Sequence, residues 1–371
     1  MAFEFRIAKW AKIVTGFRVK PRDIRAFIRY NSMKKLQNML LMRLQMRQRR
    51  TAVTAFPFIL VADPINVCNL KCPLCPAGIG APGRPQGKMT LDQFKKIIDK
   101  IGDYLYEVNL FRYGEPLLNK DIFQMVEYTH QHNIFTCINT NFNILSREMA
   151  RDLVRSGLDY LVLSIDGLSP ETYSRYRVGG NFGQVIQNIK VLVEEKRRLQ
   201  TSSPLIEWQF LVFKHNQHEV DEVEQFARTL GVDATSIKCG NIGVANESGD
   251  YSSEYVLEGN ERNRYEKVGM PVSGTVCDWL WNTFTINYDG GVSACCSAYK
   301  KEDDFSNFFA ESSCFEEIWN NTKFKTARSI FREGRLTHDK DILCNSCSIA
   351  MGYVKRRTIQ INKGGTGLLL G

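Results

Sequence analysis

Three cysteines within eight residues constrain this chain more than any other feature of its sequence. Cys68, Cys72 and Cys75 form a C-x3-C-x2-C triplet directly after a short apolar run. Thiolates held this close in one loop are typical ligands of an iron–sulfur cluster. They leave one iron of a four-iron cluster without a protein ligand, and an open metal position characterises a reactive site. A zinc loop or three buried thiols is the simpler alternative, although zinc ligands usually come as two C-x2-C pairs.

The composition indicates a globular protein of enzyme size. The 371 residues suffice for one large domain and a smaller one, with 43% apolar and 24% charged residues. No run of eighteen apolar residues predicts a transmembrane helix, and the N-terminus lacks the apolar core of a secretory signal. Eleven cysteines without an export signal favour metal or redox chemistry in the cytoplasm over disulfides.

The positive charge is concentrated at the N-terminus. Residues 1–50 hold fourteen Lys/Arg and two acids, a net +12, so the rest of the chain carries 9 − 12 = −3. Leu36, Leu40 and Leu44 recur at helical spacing beside several methionines, which predicts a basic amphipathic helix. It is interpreted as packed across the body with a solvated basic face, or as docked on an anionic membrane or a lipid-linked substrate. Nucleic-acid contact is not expected, because no aromatic-rich binding motif accompanies the charge.

Short β-rich runs alternate with helical segments between residues 58 and 238. Strands are predicted at 58–65, 106–111, 134–139, 159–165, 206–212 and 234–238. Helices are predicted at 91–101, 120–132, 146–156, 181–198 and 217–230. This alternation predicts an α/β fold with parallel strands and right-handed crossovers. Six units are too few for a closed eight-stranded barrel, so we expect a partial (β/α)6 barrel with active groups at the C-terminal ends of its strands.

A second cysteine set lies near the C-terminus. Cys277 and Cys295 flank a predicted β-hairpin with an Asp-Gly turn, and Cys344 and Cys347 follow a predicted helix near 315–332. Four thiolates in two pairs suit zinc or an iron–sulfur cluster; Cys296 and Cys314 are unassigned. The domains are therefore predicted as a basic helical extension, a barrel, a Gly/Ser-rich linker, a cluster module and a flexible tail. Their bounds are 1–55, 56–240, 241–276, 277–352 and 353–371.

Both cysteine patterns resemble those of one enzyme family. The triplet resembles the radical S-adenosylmethionine (SAM) superfamily, in which the open iron of a 4Fe–4S cluster binds the amino and carboxylate groups of SAM. Leu74 departs from the aromatic residue usual before the last cysteine. The C-x12-G-x4-C spacing from Cys277 to Cys295 resembles the SPASM/twitch extension. This implies one auxiliary 4Fe–4S cluster on Cys277, Cys295, Cys344 and Cys347, because no cysteine follows Cys347.

The resemblance also implies SAM contacts at the ends of the second to fourth strands. The implied residues are Tyr113, Gly114, Glu115, Asn139, Asn141, Ser164, Asp166 and Arg177. The first three resemble the family's G-G-E-P element, which binds the SAM amino group, with Tyr113 replacing the first glycine. Arg177 matches an arginine that holds the SAM carboxylate, and Arg175 competes for that role.

The resemblance implies reductive cleavage of SAM to a 5′-deoxyadenosyl radical, with flavodoxin or ferredoxin as electron donor. An auxiliary cluster could accept an electron from the substrate, which favours oxidation of a small sugar- or aminocyclitol-like molecule. Peptide maturation or crosslinking is an alternative, weakened because residues 1–55 look too helical for a peptide-recognition domain. Cys239, at the end of the sixth strand, is a candidate catalytic hydrogen-atom donor for an epimerase, against the simpler interpretation as a core thiol.

Overall fold

The structure is a computed structural model that describes residues 24–80, 83–239, 276–310, 314–339, 341–347, 349–351 and 353–355. Its helices are α1 Ile24–Tyr30, α2 Met33–Arg47, α3 Leu91–Ile101, α4 Ile122–Gln131, α5 Arg147–Arg155, α6 Pro170–Tyr176, α7 Phe182–Arg198, α8 Val223–Thr229, α9 Trp279–Asn282, α10 Phe315–Trp319 and α11 Thr322–Glu333. Its strands are β1 Ile59–Ala62, β2 Glu107–Asn109, β3 Phe135–Thr140, β4 Tyr160–Ser164, β5 Leu205–Val212, β6 Ala234–Cys239, β7 Thr283–Ile286, β8 Gly291–Ser293 and β9 Ser306–Asn307.

The nine strands within the described residues form one sheet in the order β6-β5-β4-β3-β2-β1-β7-β8-β9. Strands β1 to β6 are parallel to their neighbours, and helices connect them. The predicted partial (β/α)6 barrel is therefore confirmed. Because the strands are parallel, the loops after β1, β2, β3 and β4 meet at one edge of the sheet, where the predicted site residues lie.

Local sequence explains why the connecting helices form and how they pack. Helix α3 begins with a capping box between Thr90 and Gln93, which satisfies backbone donors at the helix start. Its buried residues recur at positions i, i+3, i+4 and i+7 and so share one face. They are Phe94, Ile97, Ile98 and Ile101. This face covers the sheet, and the helix begins and ends where the sequence predicts.

The C-terminal hairpin continues the barrel sheet. Strand β7 pairs in parallel with β1, from Ile59 opposite Thr283 to Ala62 opposite Ile286. Strand β8 returns antiparallel after a turn in which Gly290 has φ +87°, a conformation that favours glycine. The predicted hairpin is confirmed, and its attachment to the edge of β1 was not foreseen. The predicted linker lies almost entirely outside the described residues.

The predicted helix near 315–332 is divided into α10 and α11. Asn321 accepts from the backbone N–H of Phe324 at 3.0 Å and so caps α11. The neighbouring Asn320 bonds both backbone groups of Val53, at 2.8 and 2.9 Å. These two asparagines end one helix, start the next and attach the C-terminal module to the segment before β1.

The basic N-terminal helix is present as α2; Leu36 packs partly against the core, but Leu40 and Leu44 do not face the body. Leu40 and Leu44 are 45% and 51% exposed, whereas Met39 and Met42 are buried. Asn38 bonds the backbone of Phe56 in both directions at 2.8 Å and so fixes this orientation. No helix within the described residues has the length and apolarity to cross a membrane.

Candidate functional site

The cysteine triplet lies in a tight loop after β1. The backbone N–H of Cys75 donates to the carbonyl of Cys72 at 3.2 Å. A Cβ at Gly78 would lie 2.3 Å from that same carbonyl oxygen, so the loop passes too close to itself for a side chain there. Lys71 N donates to Val178 O at 2.8 Å and ties the loop to the chain after α6. These contacts fix the path of the loop that carries the three cysteines.

Polar groups from the third and fourth β/α units surround these thiols. Asn141 Nδ2 lies 3.7 Å from Cys68 Sγ, and Arg177 Nη1 lies 4.0 Å from Cys72 Sγ. Burial raises the pKa of Cys72 to about 11, and the Arg177 guanidinium opposes that shift. Cluster ligands must be thiolates, whose charge a bound metal compensates. Three partly buried thiols near a cation and an amide fit the donor set of an open iron–sulfur cluster.

The end of β2 packs directly against this loop. A Cβ at Gly114 would lie 1.8 Å from Ile65 O, so only glycine fits there. The buried Glu115 carboxylate accepts from Thr140 Oγ1 at 2.7 Å, from Asn141 N at 2.8 Å and from Leu117 N at 3.0 Å. Burial raises the pKa of Glu115, and these donors oppose the shift. Carboxylate oxygens have further lone pairs, so Glu115 keeps capacity for a ligand ammonium.

The ends of β3 and β4 carry two side-chain pairs. Ser164 Oγ donates to Asn139 Oδ1 at 2.6 Å. Arg177 Nε donates to Asp166 Oδ2 at 2.6 Å, and the other oxygen of this buried carboxylate accepts from Leu211 N at 2.7 Å. Asp166 is therefore arranged to position Arg177. Burial lowers the pKa of Arg177, but the attractions of Asp166, Cys72 and the neighbouring tyrosines together outweigh it, and the net shift is upward. Arg175 is exposed.

The structure brings the second cysteine set together from three parts of the chain. Cys277 precedes α9, Cys295 follows β8, and Cys344 and Cys347 lie at the 3-10 turn Leu343–Ser346. Burial raises the pKa of Cys344 well above its usual value, and the proximity of the other three thiols raises it further. Burial likewise raises the pKa of Cys295 to about 11. Among the described residues no three His, Cys, Asp or Glu side chains are arranged for a single metal ion.

Arg112, which the sequence analysis did not single out, and Tyr113, which it named only as a SAM contact, link the two cysteine sets. Arg112 donates from Nη2 to Cys295 O at 3.0 Å and to Ala298 O, and from Nη1 to Asn287 Oδ1. The Tyr113 hydroxyl donates to Cys296 O, and the Tyr113 carbonyl lies 4.0 Å from Cys75 Sγ. The dipeptide before Gly114 thus contacts both sets. Its position beside the G-E-P element was the signal available in the sequence.

The remaining cysteines are distributed differently. Cys137 is buried in β3, and Cys296 and Cys314 are exposed. Cys239 ends β6 opposite Val212, and its side chain lies outside what the structure describes. Its role as hydrogen-atom donor therefore stays a prediction.

Two family models match the sequence. The radical SAM superfamily model matches residues 63–207, and the model of an iron–sulfur cluster-binding domain, SPASM, matches residues 277–348. An AdoMet-dependent heme synthase of Methanosarcina barkeri is 28% identical over 181 residues, 48% of this chain and 50% of that protein. PqqA peptide cyclase of Bradyrhizobium diazoefficiens is 24% identical over 199 residues, 53% of this chain and 50% of that protein. The chain thus spans about half the length of these relatives.

Solved structures share the fold. SuiB of Streptococcus suis bound to S-adenosylmethionine superposes with a TM-score of 0.61 at 16% identity, covering 94% of this chain and 82% of SuiB. The anSMEcpe structure with bound AdoMet gives a TM-score of 0.54 at 17% identity, covering 83% of this chain and 100% of that one. At these identities the likeness concerns the fold alone.

Proposed function

Because this chain carries a radical SAM domain followed by a SPASM domain, we propose that it oxidises a small sugar- or aminocyclitol-like molecule. The first domain implies a 4Fe–4S cluster and SAM as cofactors, and the second implies auxiliary iron–sulfur cluster binding. When bound and reduced, these cofactors supply a 5′-deoxyadenosyl radical able to take a hydrogen atom from an unactivated C–H bond.

The residues around the triplet suit the groups of SAM. Cys68, Cys72 and Cys75 would hold the cluster and leave one iron open. Glu115 would accept from the SAM ammonium, and Arg177 would pair with its carboxylate in the bidentate manner that guanidinium favours. Asp166 would keep that guanidinium in place, because its second oxygen is already bonded to Leu211 N. Thr140 would do the same for Glu115.

The single observation that favours oxidation is the convergence of four buried or partly buried cysteines beside the first site. Alcohol oxidation removes a hydrogen atom, a proton and an electron, so the site needs an electron acceptor besides SAM. Cys277, Cys295, Cys344 and Cys347 would fill every ligand position of an auxiliary cluster, which suits electron transfer rather than substrate ligation. Arg112 connects Cys295 to the SAM-binding segment by hydrogen bonds.

Peptide modification is the second candidate. SuiB has been solved with its precursor peptide SuiA and gives a TM-score of 0.59 at 17% identity, and a peptide cyclase is among the relatives. Against this, the described part of residues 24–55 contains two helices and no strand, which does not provide a sheet edge for a peptide. Oxidation of a small molecule therefore remains the first proposal.

Deuterium transfer distinguishes these substrate classes without knowing the substrate. Extract from the source organism grown in D2O is split by ultrafiltration into small-molecule and peptide fractions and incubated anaerobically with the reconstituted enzyme. We expect deuterated 5′-deoxyadenosine from the small-molecule fraction, with Cys72→Ala as inactive control. Label arising from the peptide fraction alone would refute the proposal in favour of peptide modification.

An epimerase using Cys239 predicts a separate result. Cys239→Ala would then still form 5′-deoxyadenosine but no product. If the enzyme is an oxidase, the variant keeps forming product, and one ketone or aldehyde appears for each SAM consumed.

A further inference from the structure

We propose that the outer face of α2 docks the protein on an anionic membrane surface. The outer face is defined by Met33, Leu40, Leu41, Leu44 and Arg47. It lies outside the cofactor sites, and the inference is independent of the substrate proposed above.

The outer face is an apolar strip turned towards solvent. Met33 is 70% exposed, and the three leucines are 40–51% exposed. On an ideal helix these positions lie within one arc, because each residue turns the helix by about 100°. A surface helix of a globular protein normally turns such a strip inward. Four exposed large apolar side chains on one helix face mark an interaction site rather than scattered surface residues.

Hydrogen bonds to the body hold the helix in this orientation. The Lys35 ammonium donates to Tyr30 O at 3.1 Å and to Asn133 O at 2.6 Å. Gln45 donates to Thr54 Oγ1 at 2.6 Å. Both side chains are buried, at 4% and 2% exposure. Rotating the leucines inward would expose the methionines and break these bonds, so the outward leucines are a fixed property of the fold.

The charge around the strip suits an anionic surface. Residues 24–50 contain eight Lys/Arg, of which Lys35 is buried, and no acid. The exposed Arg47 belongs to the outer face, and Lys34 at its margin pairs with Asp103 of the body at 2.6 Å. Interfacial helices combine such an apolar strip with flanking cations. Cations near an anionic leaflet add to the binding free energy of such a helix.

Charge also disfavours the other occupants of this face. A second copy would bring two strongly basic segments together, and residues 1–23 add six Lys/Arg against two acids. A second copy of the chain on this face, or residues 1–23 of the same chain, would place like charges beside one another, which is repulsive at short range. Nucleic acid would satisfy the charge but leave the apolar strip in water. A lipid surface satisfies both features.

Docking would leave the cofactor site accessible. Helix α2 bonds to Phe56 and Thr54, which precede β1, and to Asn133, which precedes β3. These groups lie at the N-terminal ends of the strands, whereas the cysteine triplet follows the C-terminal end of β1. The protein would therefore rest on the membrane with the open end of its barrel turned away, and the substrate need not be a lipid.

Vesicle co-sedimentation of the full chain tests the proposal. Wild type should bind phosphatidylserine/phosphatidylcholine vesicles, bind phosphatidylcholine alone weakly, and be released by salt. L40Q/L44Q should lower partitioning about tenfold, since interfacial binding follows buried apolar area. The matched control Leu336→Gln changes another exposed leucine, 37% accessible, and should bind like wild type. Unchanged iron content shows that each variant is folded.

Three results would overturn the proposal. Failure of the wild-type protein to bind anionic vesicles would refute the proposal. If L40Q/L44Q binds like wild type while deletion of residues 1–23 abolishes binding, the preceding arm is the membrane contact. If light scattering shows a dimer that L40Q/L44Q dissociates, and vesicles do not bind, the face is a self-association surface.

Discussion

Loss of Arg84 should weaken the attachment between the two cofactor-binding parts of the molecule. Arg84 lies in the loop between the cysteine triplet and α3, and its side chain is only 4% exposed. It donates to both oxygens of Asp289 at 2.6 Å and to those of Asp304 at 2.6 and 2.7 Å. One guanidinium thus joins the barrel loop to Asp289 in the turn of the C-terminal hairpin and to Asp304 just before β9.

The cost of removing it follows from what would be left behind. Asp289 and Asp304 are 20% and 12% exposed, so water would solvate them poorly. Removing one partner of a buried ion pair costs about 3–5 kcal/mol, because the remaining charge loses its compensation. Arg84→Met should therefore lower the free energy of unfolding by about 3–5 kcal/mol. Arg84→Lys should cost less, since it keeps the charge but cannot form both bidentate contacts.

Anaerobic urea unfolding of the reconstituted protein, followed by far-UV circular dichroism, measures this difference. Arg151→Met is the control, because its ion pairs with Glu148 and Asp152 are exposed and longer, at 3.8 and 3.6 Å. Such surface pairs contribute about 0–1 kcal/mol. If Arg84→Met costs less than about 1 kcal/mol, the two modules are not held together by this charge and the reasoning is wrong.

Further predictions concern the buried carboxyls and the bridging arginine. Burial raises the pKa of Asp63 to about 7, so the folded state keeps this proton to higher pH than the unfolded state, and stability falls as pH rises from about 4 to 7. Asp63→Asn removes this pH dependence. The free energy of unfolding of the variant relative to wild type, measured with urea, should therefore rise by about 2–3 kcal/mol between pH 5 and pH 8. Parallel curves of unfolding free energy against pH for the two proteins would contradict the prediction. Glu115→Gln should weaken SAM binding by calorimetry at least about tenfold, through a lost charge-assisted hydrogen bond; unchanged affinity would exclude the proposed ammonium contact. Arg112→Gln should lower the midpoint potential of the auxiliary cluster in an EPR-monitored titration, because a cation beside Cys295 favours the reduced form; an unchanged potential would show that its charge is not felt there.

The order of strands and helices was predictable because the spacing of apolar residues within each segment indicates its secondary structure. Each predicted strand contains its observed strand or differs from it by a residue or two, and α3 matches at both ends. The cysteine triplet stands out by its spacing, and Glu115 and Arg177 by the family resemblance. In the structure Glu115 N donates to Val67 O, next to Cys68, and Arg177 Nη1 lies 4.0 Å from Cys72 Sγ; their roles in binding SAM stay predictions.

What escaped prediction depends on partners far apart in the chain. Arg112 contacts residues about 175–186 positions away, and nothing near Arg84 indicates Asp289 as its partner. The pairing of β7 with β1 is equally non-local. The orientation of α2 was not predictable from its leucine periodicity for another reason. Its polar residues find buried backbone partners, and these hydrogen bonds decide which face is buried.

Iron and acid-labile sulfide per chain, measured after anaerobic reconstitution, test the central claim of two cluster sites most directly. Wild type should hold about eight irons, and Cys68/Cys72/Cys75→Ala should hold about four, from the ligand count of two 4Fe–4S clusters. Four irons falling to none would contradict the account, because the second cysteine set would then hold no cluster and the proposed oxidation would lose its electron acceptor.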